Sequence, residues 1–206
     1  MTNMKAKSLI LLALAPLALL SCTQKDKRLD ALYEGLPFDM PRIQEPKIPS
    51  NRAVLTDFGA VGDGVTDNTA AFASAVASLE GKGGRIVVPA GIWLTGPIGL
   101  KDNMELHLEE NAIITFSTNQ DLYPIIDTNF EGLDVRRCLS PLYADGAKNI
   151  AITGKGIIDG NGAAWRELKK RKVGDDTWKA MTKGRGVLSE DGSVWYPDEG
   201  YRKARL

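Results

Sequence analysis

Short apolar runs separated by turn residues dominate the middle of the chain. In the segment Met104–Leu108 apolar and polar residues alternate, which is typical of a strand with one buried and one solvated face. Glycine, proline or asparagine punctuates the gaps between such runs, so each run is expected to be a separate strand. Further runs predict strands at residues 86–88, 92–94, 98–100, 113–116, 142–143, 150–153 and 157–158.

One amphipathic helix precedes these strands. Apolar residues recur at i, i+3, i+4 and i+7 from Phe72 to Leu79, which predicts a helix over residues 69–80 that Gly81 ends. Asp67 or Thr66 is expected to cap its first turn by accepting a backbone N–H bond. The helix is therefore introduced by a polar, glycine-containing turn.

That turn, DFGAVGDGVTDNT at residues 57–69, combines three glycines with three carboxylates. Its glycine order, G-x-x-G-x-G, is the reverse of the dinucleotide fingerprint. The glycine-rich residues 81–84 contain a lysine but lack the Ser or Thr of a phosphate-binding loop. We therefore expect no nucleotide site and interpret the segment as a compact turn, for which glycine permits positive φ values.

Two parts of the strand region look like copies of one unit. Residues 103–106 and 149–152 each begin with asparagine, and each is followed by a turn and an Ile-Ile pair. Very short strands at near-regular spacing are typical of a β-solenoid, whereas a sandwich more often has strands of about five or six residues joined by hairpins. The pattern favours an all-β fold, a right-handed parallel β-helix whose N-terminal end is covered by the capping α-helix.

The start of the chain is expected to direct export. Lys5 and Lys7 precede an apolar run over residues 9–20 that is too short to span a bilayer. The following Leu-Leu-Ser-Cys resembles the lipobox of bacterial lipoproteins, so residues 1–21 are predicted to be a signal peptide and Cys22 the lipidated residue. The alternative is an ordinary secretory signal. We expect an exported lipoprotein in the periplasm, on the outer membrane or at the cell surface.

Residues 22–52 are polar and then proline-rich, which predicts a tether and an extended arm. The chain has 26 basic and 26 acidic side chains; without Lys5 and Lys7, 24 basic ones remain, for a charge of about −2. The basic run at residues 169–172 is interpreted as a solvated helix end, so no nucleic-acid partner is expected. Cys138 has no intrachain partner once Cys22 is lipidated, and it is expected to be a small buried group.

Three segments carry a family resemblance. DFGAVGDGVTDNTAAF, GGRIVVPAGIWLTGPIGLKDNMELHLEENA and GKGIIDGNGAAW resemble glycoside hydrolase family 28, the polygalacturonase-like members of the pectin-lyase-like β-helix superfamily. The likeness covers residues 53–165, which are predicted to form the N-terminal cap and the first coils. It implies hydrolysis of α-glycosidic bonds of polygalacturonan or rhamnogalacturonan with inversion, a pectic polysaccharide partner, no metal or organic cofactor, and a monomer.

The family's catalytic motifs are an Asn-Thr-Asp, an Asp-Asp pair, a Gly-His-Gly and an Arg-Ile-Lys, in that order. Of these only an Asp-Asp pair occurs in the chain, and it lies ahead of the coils that would carry the catalytic pair. The pair Asp175-Asp176 is better explained by capping of a helix over residues 177–181. His107 lies on an alternating strand and is expected to be structural. Asp159, beside glycine, is expected to be a turn residue. We therefore predict no catalytic, cofactor or metal ligand residue in these 206 residues.

Residues 166–206 resemble an insertion of lipoprotein members of the family and are predicted to form helices and a hairpin. Trp195 and Tyr196 follow a predicted hairpin turn at Asp191-Gly192. Their rings could stack on sugar rings, although packing of a small subdomain is the favoured alternative.

Length limits the β-helix to its first coils. A solenoid generally needs three or more coils and a cap at each end, so we expect the N-terminal part of a longer enzyme, with an exposed apolar end and no activity alone. The rival interpretations are a non-catalytic carbohydrate-binding or adhesive β-helix, and a polysaccharide lyase on the same scaffold.

Overall fold

A computed structural model describes residues 30–183, 186–197 and 199–204. The predicted signal peptide and Cys22 lie outside these residues. Two compact units are present, with their boundary between Gln44 and Glu45. Within the described residues, no helix combines the length and apolar character needed to cross a bilayer.

The described part of the first unit is held together by its own side chains. The Arg42 guanidinium lies over the Tyr33 ring, 4.3 Å from its centroid, and forms an ion pair with Asp30. The backbone N–H of Ile43 donates to the Tyr33 hydroxyl at 3.1 Å. These contacts are exposed to solvent, so each contributes little to stability.

The second unit contains the strands and the helices. The strands are β1 (Arg52–Val54), β2 (Asp63–Asp67), β3 (Gly84–Val88), β4 (Gly91–Thr95), β5 (Ile98–Gly99), β6 (Met104–Leu108), β7 (Ala112–Phe116), β8 (Ile125–Phe130), β9 (Leu133–Cys138), β10 (Leu142–Tyr143), β11 (Ala151–Gly154), β12 (Ile157–Asp159), β13 (Leu168–Lys169), β14 (Val187–Leu188) and β15 (Val194–Tyr196). The α-helices are α1 (Thr69–Leu79), α2 (Asp175–Thr182) and α3 (Glu199–Ala204). Short 3-10 turns span Leu55–Phe58, Gln120–Leu122, Gly162–Trp165 and Lys170–Lys172.

Three parallel sheets form the faces of a solenoid. Their orders are β1-β3-β6-β11, β2-β4-β7-β12 and β5-β10. Each coil contributes one strand to each of the first two sheets, and the two middle coils also contribute one to the third. Apolar residues stack in register from coil to coil, as Ile86, Leu106 and Ile152 do. The chain thus folds as the predicted right-handed parallel β-helix, with only its first coils present.

The core lies inside the coils because most of the buried residues of these short strands are apolar. Ile86, Met104, Leu106 and Ile114 are fully buried there. Burial of such side chains stabilises the fold by about 1.5–3 kcal/mol each. The core is therefore continuous from one coil to the next.

Helix α1 covers the N-terminal end of this core, as predicted. Its buried face includes Phe72 and Leu79, and the helix ends at Leu79, whose carbonyl accepts from the N–H of Gly83 at 2.8 Å. Asp67 accepts from the N–H of Thr69 at 2.9 Å, which confirms its capping role. The N-cap position itself is Asn68, whose buried side chain bonds to backbone groups of three neighbouring segments.

A hairpin lies between β7 and β10, where the sequence predicted no strand. Strands β8 and β9 pair antiparallel, and Glu131 and Gly132 at the turn both have positive φ, the conformation that a tight hairpin turn requires. The hairpin lengthens one coil: the step from β3 to β6 is 20 residues and the step from β6 to β11 is 46. Cys138, expected to be buried, is only half-buried because it belongs to this hairpin and not to the core of the coils.

Residues beyond the coils form a small antiparallel sheet of order β13-β15-β14, followed by α3. Trp178 on α2 is buried. The pair Asp175-Asp176 lies in the first turn of α2, and the N-cap position is Gly174, which has no side chain to form a capping hydrogen bond. The capping prediction for this pair was wrong because the helix begins two residues earlier than expected; negative charge in a first turn still favours the helix.

Candidate functional site

A polar cluster joins three coils on the outer face of the first sheet. The Glu105 carboxylate accepts from Arg85 Nε at 2.8 Å and from the Thr153 hydroxyl. His107 Nδ1 lies 2.6 Å from the same Thr153 hydroxyl oxygen. The register of the parallel strands brings these four residues together, because β3, β6 and β11 are consecutive neighbours in one sheet.

Glu105 is buried, with 4% of its surface exposed, which corrects the expectation that this face of β6 is solvated. Neighbouring side chains on β3 and β11 cover it. Burial by itself raises the pKa of Glu105, but the hydrogen bonds from Thr153 and Arg85 and the charges of Arg85 and His107 outweigh it, and the pKa lies below the ordinary value. The carboxylate is therefore ionised and fully partnered.

The same network shows which nitrogen of His107 carries a proton. A hydroxyl has one hydrogen to donate, and Thr153 donates it to Glu105. The His107 nitrogen that faces Thr153 must then be the donor, so Nδ1 carries a proton. This arrangement agrees with the structural role that we expected for His107.

A second feature is a cleft of about 650 Å³ beside the β-helix, which we call the side cleft. This volume falls within the range of about 300–1,000 Å³ typical of small-molecule pockets. One part of its wall is the loop after β7, and the other comes from the small antiparallel sheet and the start of α3. It is lined by Ser117, Thr118, Asn119, Gln120, Asp121, Ala164, Gly186, Val187, Trp195, Pro197 and Glu199.

Tyr123 anchors the loop that forms one wall. Its hydroxyl donates to the carbonyl of Ser117 at 2.8 Å, and the Trp165 ring meets it edge-on with centroids 4.7 Å apart. Burial, with the nearby charge of Asp67, raises the pKa of Tyr123 to about 12. The tyrosine therefore stays protonated and keeps this hydrogen bond at any ordinary pH.

Trp195 is on the opposite wall, on β15, whereas Tyr196, the next residue of β15, is not among the lining residues. Trp195 lines the side cleft but is only 9% exposed, and it packs so closely on Gly186 that a Cβ there would lie 2.3 Å from its indole nitrogen. Tyr196 is half-buried. The burial of Trp195 favours the packing alternative, while its place in the cleft wall leaves sugar stacking as a proposal.

The hairpin turn before β15 is the one predicted at Asp191-Gly192. Gly192 has φ 66°. Hydrogen bonds from Ser189 and Ser193 lower the pKa of Asp191 to about 2. The turn is thus closed by a carboxylate that is ionised at neutral pH, and it holds β15 in place along the cleft.

Asp159 and the pair Asp175-Asp176 are not brought to the side cleft. Asp159 accepts from the N–H of Asn161 at 2.9 Å, which is the turn role expected of it. In the part of the chain that the structure describes, no three His, Cys, Asp or Glu side chains converge to hold a metal ion. Asp159, Asp175 and Asp176 therefore serve local structure and do not line the cleft.

The cleft residues Asn119, Asp121 and Glu199 were missed by sequence reasoning. Glu199 lies far along the chain from Asn119 and Asp121, and none of the three belongs to a motif, so no local signal in the sequence points to them. Folding brings them together because the loop after β7 and the segment after β15 end on the same side of the coils.

Comparison with known proteins shows which families this chain is similar to. The family model described as rhamnogalacturonase A/epimerase, pectate lyase-like, matches residues 52–126. The exo-poly-alpha-D-galacturonosidase of Dickeya chrysanthemi is 36% identical over 146 residues, covering 67% of this chain and 24% of that protein. The similarity therefore includes the capping helix and the coils.

Two solved structures of exopolygalacturonases are similar to this chain in both sequence and fold. The hyperthermoactive exopolygalacturonase of Thermotoga maritima is 32% identical with a TM-score of 0.60, covering 87% of this chain and 36% of that one. The family 28 exopolygalacturonase of Yersinia enterocolitica is 31% identical with a TM-score of 0.51, covering 71% and 24%. This chain corresponds to the N-terminal portion of a family 28 polygalacturonase-like protein. The predicted family resemblance is confirmed.

The polygalacturonase-like chain spans only part of its relatives. It covers 32% and 24% of the first two curated relatives it matches. The activity of those proteins as whole molecules is therefore extended to this chain only as a proposal.

Proposed function

We propose that this chain forms the N-terminal coils of a glycoside hydrolase that cleaves α-glycosidic bonds of pectin, in polygalacturonan or rhamnogalacturonan. The observation that carries the proposal is the similarity to exopolygalacturonases in both sequence and fold, above 30% identity in each case. The substrate is then a pectic polysaccharide, and the complete protein acts as a monomer.

The proposed mechanism is inverting. One carboxylic acid protonates the leaving oxygen while carboxylates on the opposite face of the sugar activate water, with a separation of roughly 6.5–9.5 Å. Of the motifs that supply these groups in the family, only an Asp-Asp pair, Asp175-Asp176, occurs among the 206 residues. Asp159 closes a turn, and Asp175 and Asp176 begin a helix. We therefore expect the chain by itself to hydrolyse nothing.

The test compares the 206-residue chain with the product of the complete gene on polygalacturonan. We expect reducing ends from the complete product only, with the newly formed end in the inverted anomeric configuration by NMR. Unsaturated products that absorb in the ultraviolet would show a lyase instead, and binding without cleavage would show a carbohydrate-binding β-helix. Reducing ends from the 206-residue chain would overturn the assignment of its aspartates to structural roles.

Export by a lipid anchor is a second part of the proposal. Lys5, Lys7, the apolar run at residues 9–20 and the following Cys22 support it. Cells fed a radioactive fatty acid should label the wild-type protein and leave the Cys22→Ala variant unlabelled. Label that persists in the variant would contradict lipidation at Cys22.

A further inference from the structure

The side cleft combines one flat aromatic residue with many hydrogen-bonding groups and acidic charge. Hydroxyl and amide groups come from Ser117, Thr118, Asn119 and Gln120. A ring that carries many hydroxyls forms hydrogen bonds with hydroxyl and amide groups, and an apolar C–H face packs on an aromatic ring. A sugar ring has both properties, so the chemistry of the wall matches a carbohydrate.

The charge on the wall of the side cleft favours some carbohydrates over others. Asp121 is exposed at the cleft, and among the described residues no cation forms an ion pair with it. None of the described lining residues is Lys or Arg. A uronate carboxylate entering this cleft would meet a like charge, which is unfavourable.

The second carboxylate, Glu199, is held as an acceptor. Arg202 donates to it from Nε at 2.9 Å and from Nη2 at 2.7 Å, and this hydrogen bonding lowers the pKa of Glu199. An oriented carboxylate accepts strongly from hydroxyl groups, and its charge is already balanced by Arg202 and by Lys203, whose Nζ lies 3.9 Å from Oε1. Glu199 therefore suits the hydroxyls of a neutral ring.

We propose that the side cleft is a binding subsite for an uncharged pyranose ring, either a neutral sugar or a galacturonate whose carboxyl is esterified. The inference rests on the proposed carbohydrate function and adds which chemical form of the sugar the cleft accepts. The subsite is separate from the catalytic carboxylates, which this chain is not expected to contain.

The experiment titrates the full 206-residue chain with three matched probes: D-galactose, D-galacturonate and the methyl ester of D-galacturonate. These differ only at the carbon that carries the carboxyl. Binding is followed by the indole N–H signal of Trp195 in the NMR spectrum, assigned by its loss in Trp195→Phe. We expect galactose or the methyl ester to shift this signal, with galacturonate binding at least about threefold more weakly.

Charge variants give the matched control. Asp121→Lys should tighten galacturonate binding up to about fivefold, since an exposed ion pair contributes at most about 1 kcal/mol. Asp57→Lys makes the same change at an exposed site that does not line the cleft, and it should leave the order of the probes unchanged. Both positions are exposed, so neither change should unfold the chain.

The outcomes separate this inference from the proposed hydrolase activity. A shift by galactose alone supports a neutral sugar, and a shift by the methyl ester alone supports an esterified uronate. Galacturonate binding as tight as galactose binding overturns the charge selection, and no shift by any probe overturns the subsite. Release of reducing ends by the complete gene product is measured independently and is unaffected by either failure.

Discussion

The Asn149 side-chain amide donates to the Asn103 side-chain oxygen at 2.7 Å. Both residues have positive φ, 56° and 60°, and they occupy equivalent places on successive coils. One coil earlier, the equivalent position is Gly83, with φ 67°. Asparagine tolerates this backbone conformation better than most residues, so a stacked turn with a side-chain hydrogen bond links the coils.

Asn149→Ala should lower the free energy of unfolding by about 2 kcal/mol. The change removes the hydrogen bond to Asn103 and both hydrogen bonds to Lys47. It also places alanine, which tolerates positive φ less well than asparagine does, at this position. Asn149→Gly keeps the backbone conformation accessible and should cost less. Urea unfolding of the two variants checks this, and an unchanged midpoint for Asn149→Ala would contradict a stabilising role.

Gly154→Ala should destabilise the chain severely, by about 3 kcal/mol or more. A Cβ at Gly154 would lie 1.9 Å from the carbonyl oxygen of Leu108, and φ there is 102°. The backbone of β11 would have to move away from β6. Gly160→Ala is the matched control because a Cβ at Gly160 has open space around it; equal thermal unfolding midpoints for the two variants would refute the steric argument.

Glu105→Gln should reduce stability at neutral pH by about 1–3 kcal/mol, because the ionised carboxylate loses its charge-assisted bonds. The pKa of Glu105 is lowered in the folded state, so the wild-type contribution is present above the pKa of an unfolded glutamate, about 4.3. It declines as the pH falls below that value, through the lowered folded pKa.

The measurement is the free energy of unfolding as a function of pH for both proteins. The difference between wild type and Glu105→Gln should shrink as the pH is lowered from about 5 towards 3. Glu110→Gln, at an exposed carboxylate whose only partner in the described ion pairs is Lys155 at 3.6 Å, is the control. A difference for Glu105→Gln that stays constant over this range would argue against an ionised, bonded carboxylate.

Trp195→Ala should lower the free energy of unfolding by about 3–5 kcal/mol, since the indole is buried against Gly186. Trp195→Phe keeps an aromatic ring and should cost less. Both variants are also assayed in the complete gene product for oligogalacturonide affinity. Unchanged affinity in a folded Trp195→Ala variant would rule out sugar stacking by this residue.

Local patterns were sufficient for much of the fold. The alternation in Met104–Leu108 gave that strand its observed bounds, and the spacing from Phe72 to Leu79 located the capping helix to within one residue at its end. Both signals depend on side-chain periodicity over a few residues. The hairpin of β8 and β9 was missed because Ile125–Phe130 shows no clear alternation and Glu131-Gly132 is not among the strongest hairpin turn pairs.

The sequence by itself determined the repeated short strands, the helix that covers their N-terminal end, the turn roles of Asp67 and Asp159, and the resemblance to family 28. These depend on neighbours a few residues away or on contiguous motifs. Only the tertiary structure decided that Glu105 is buried among Arg85 and Thr153, and that Asp121 and Glu199 line one cleft. Strand register and the return of a distant segment bring such groups together, and local periodicity carries no information about either.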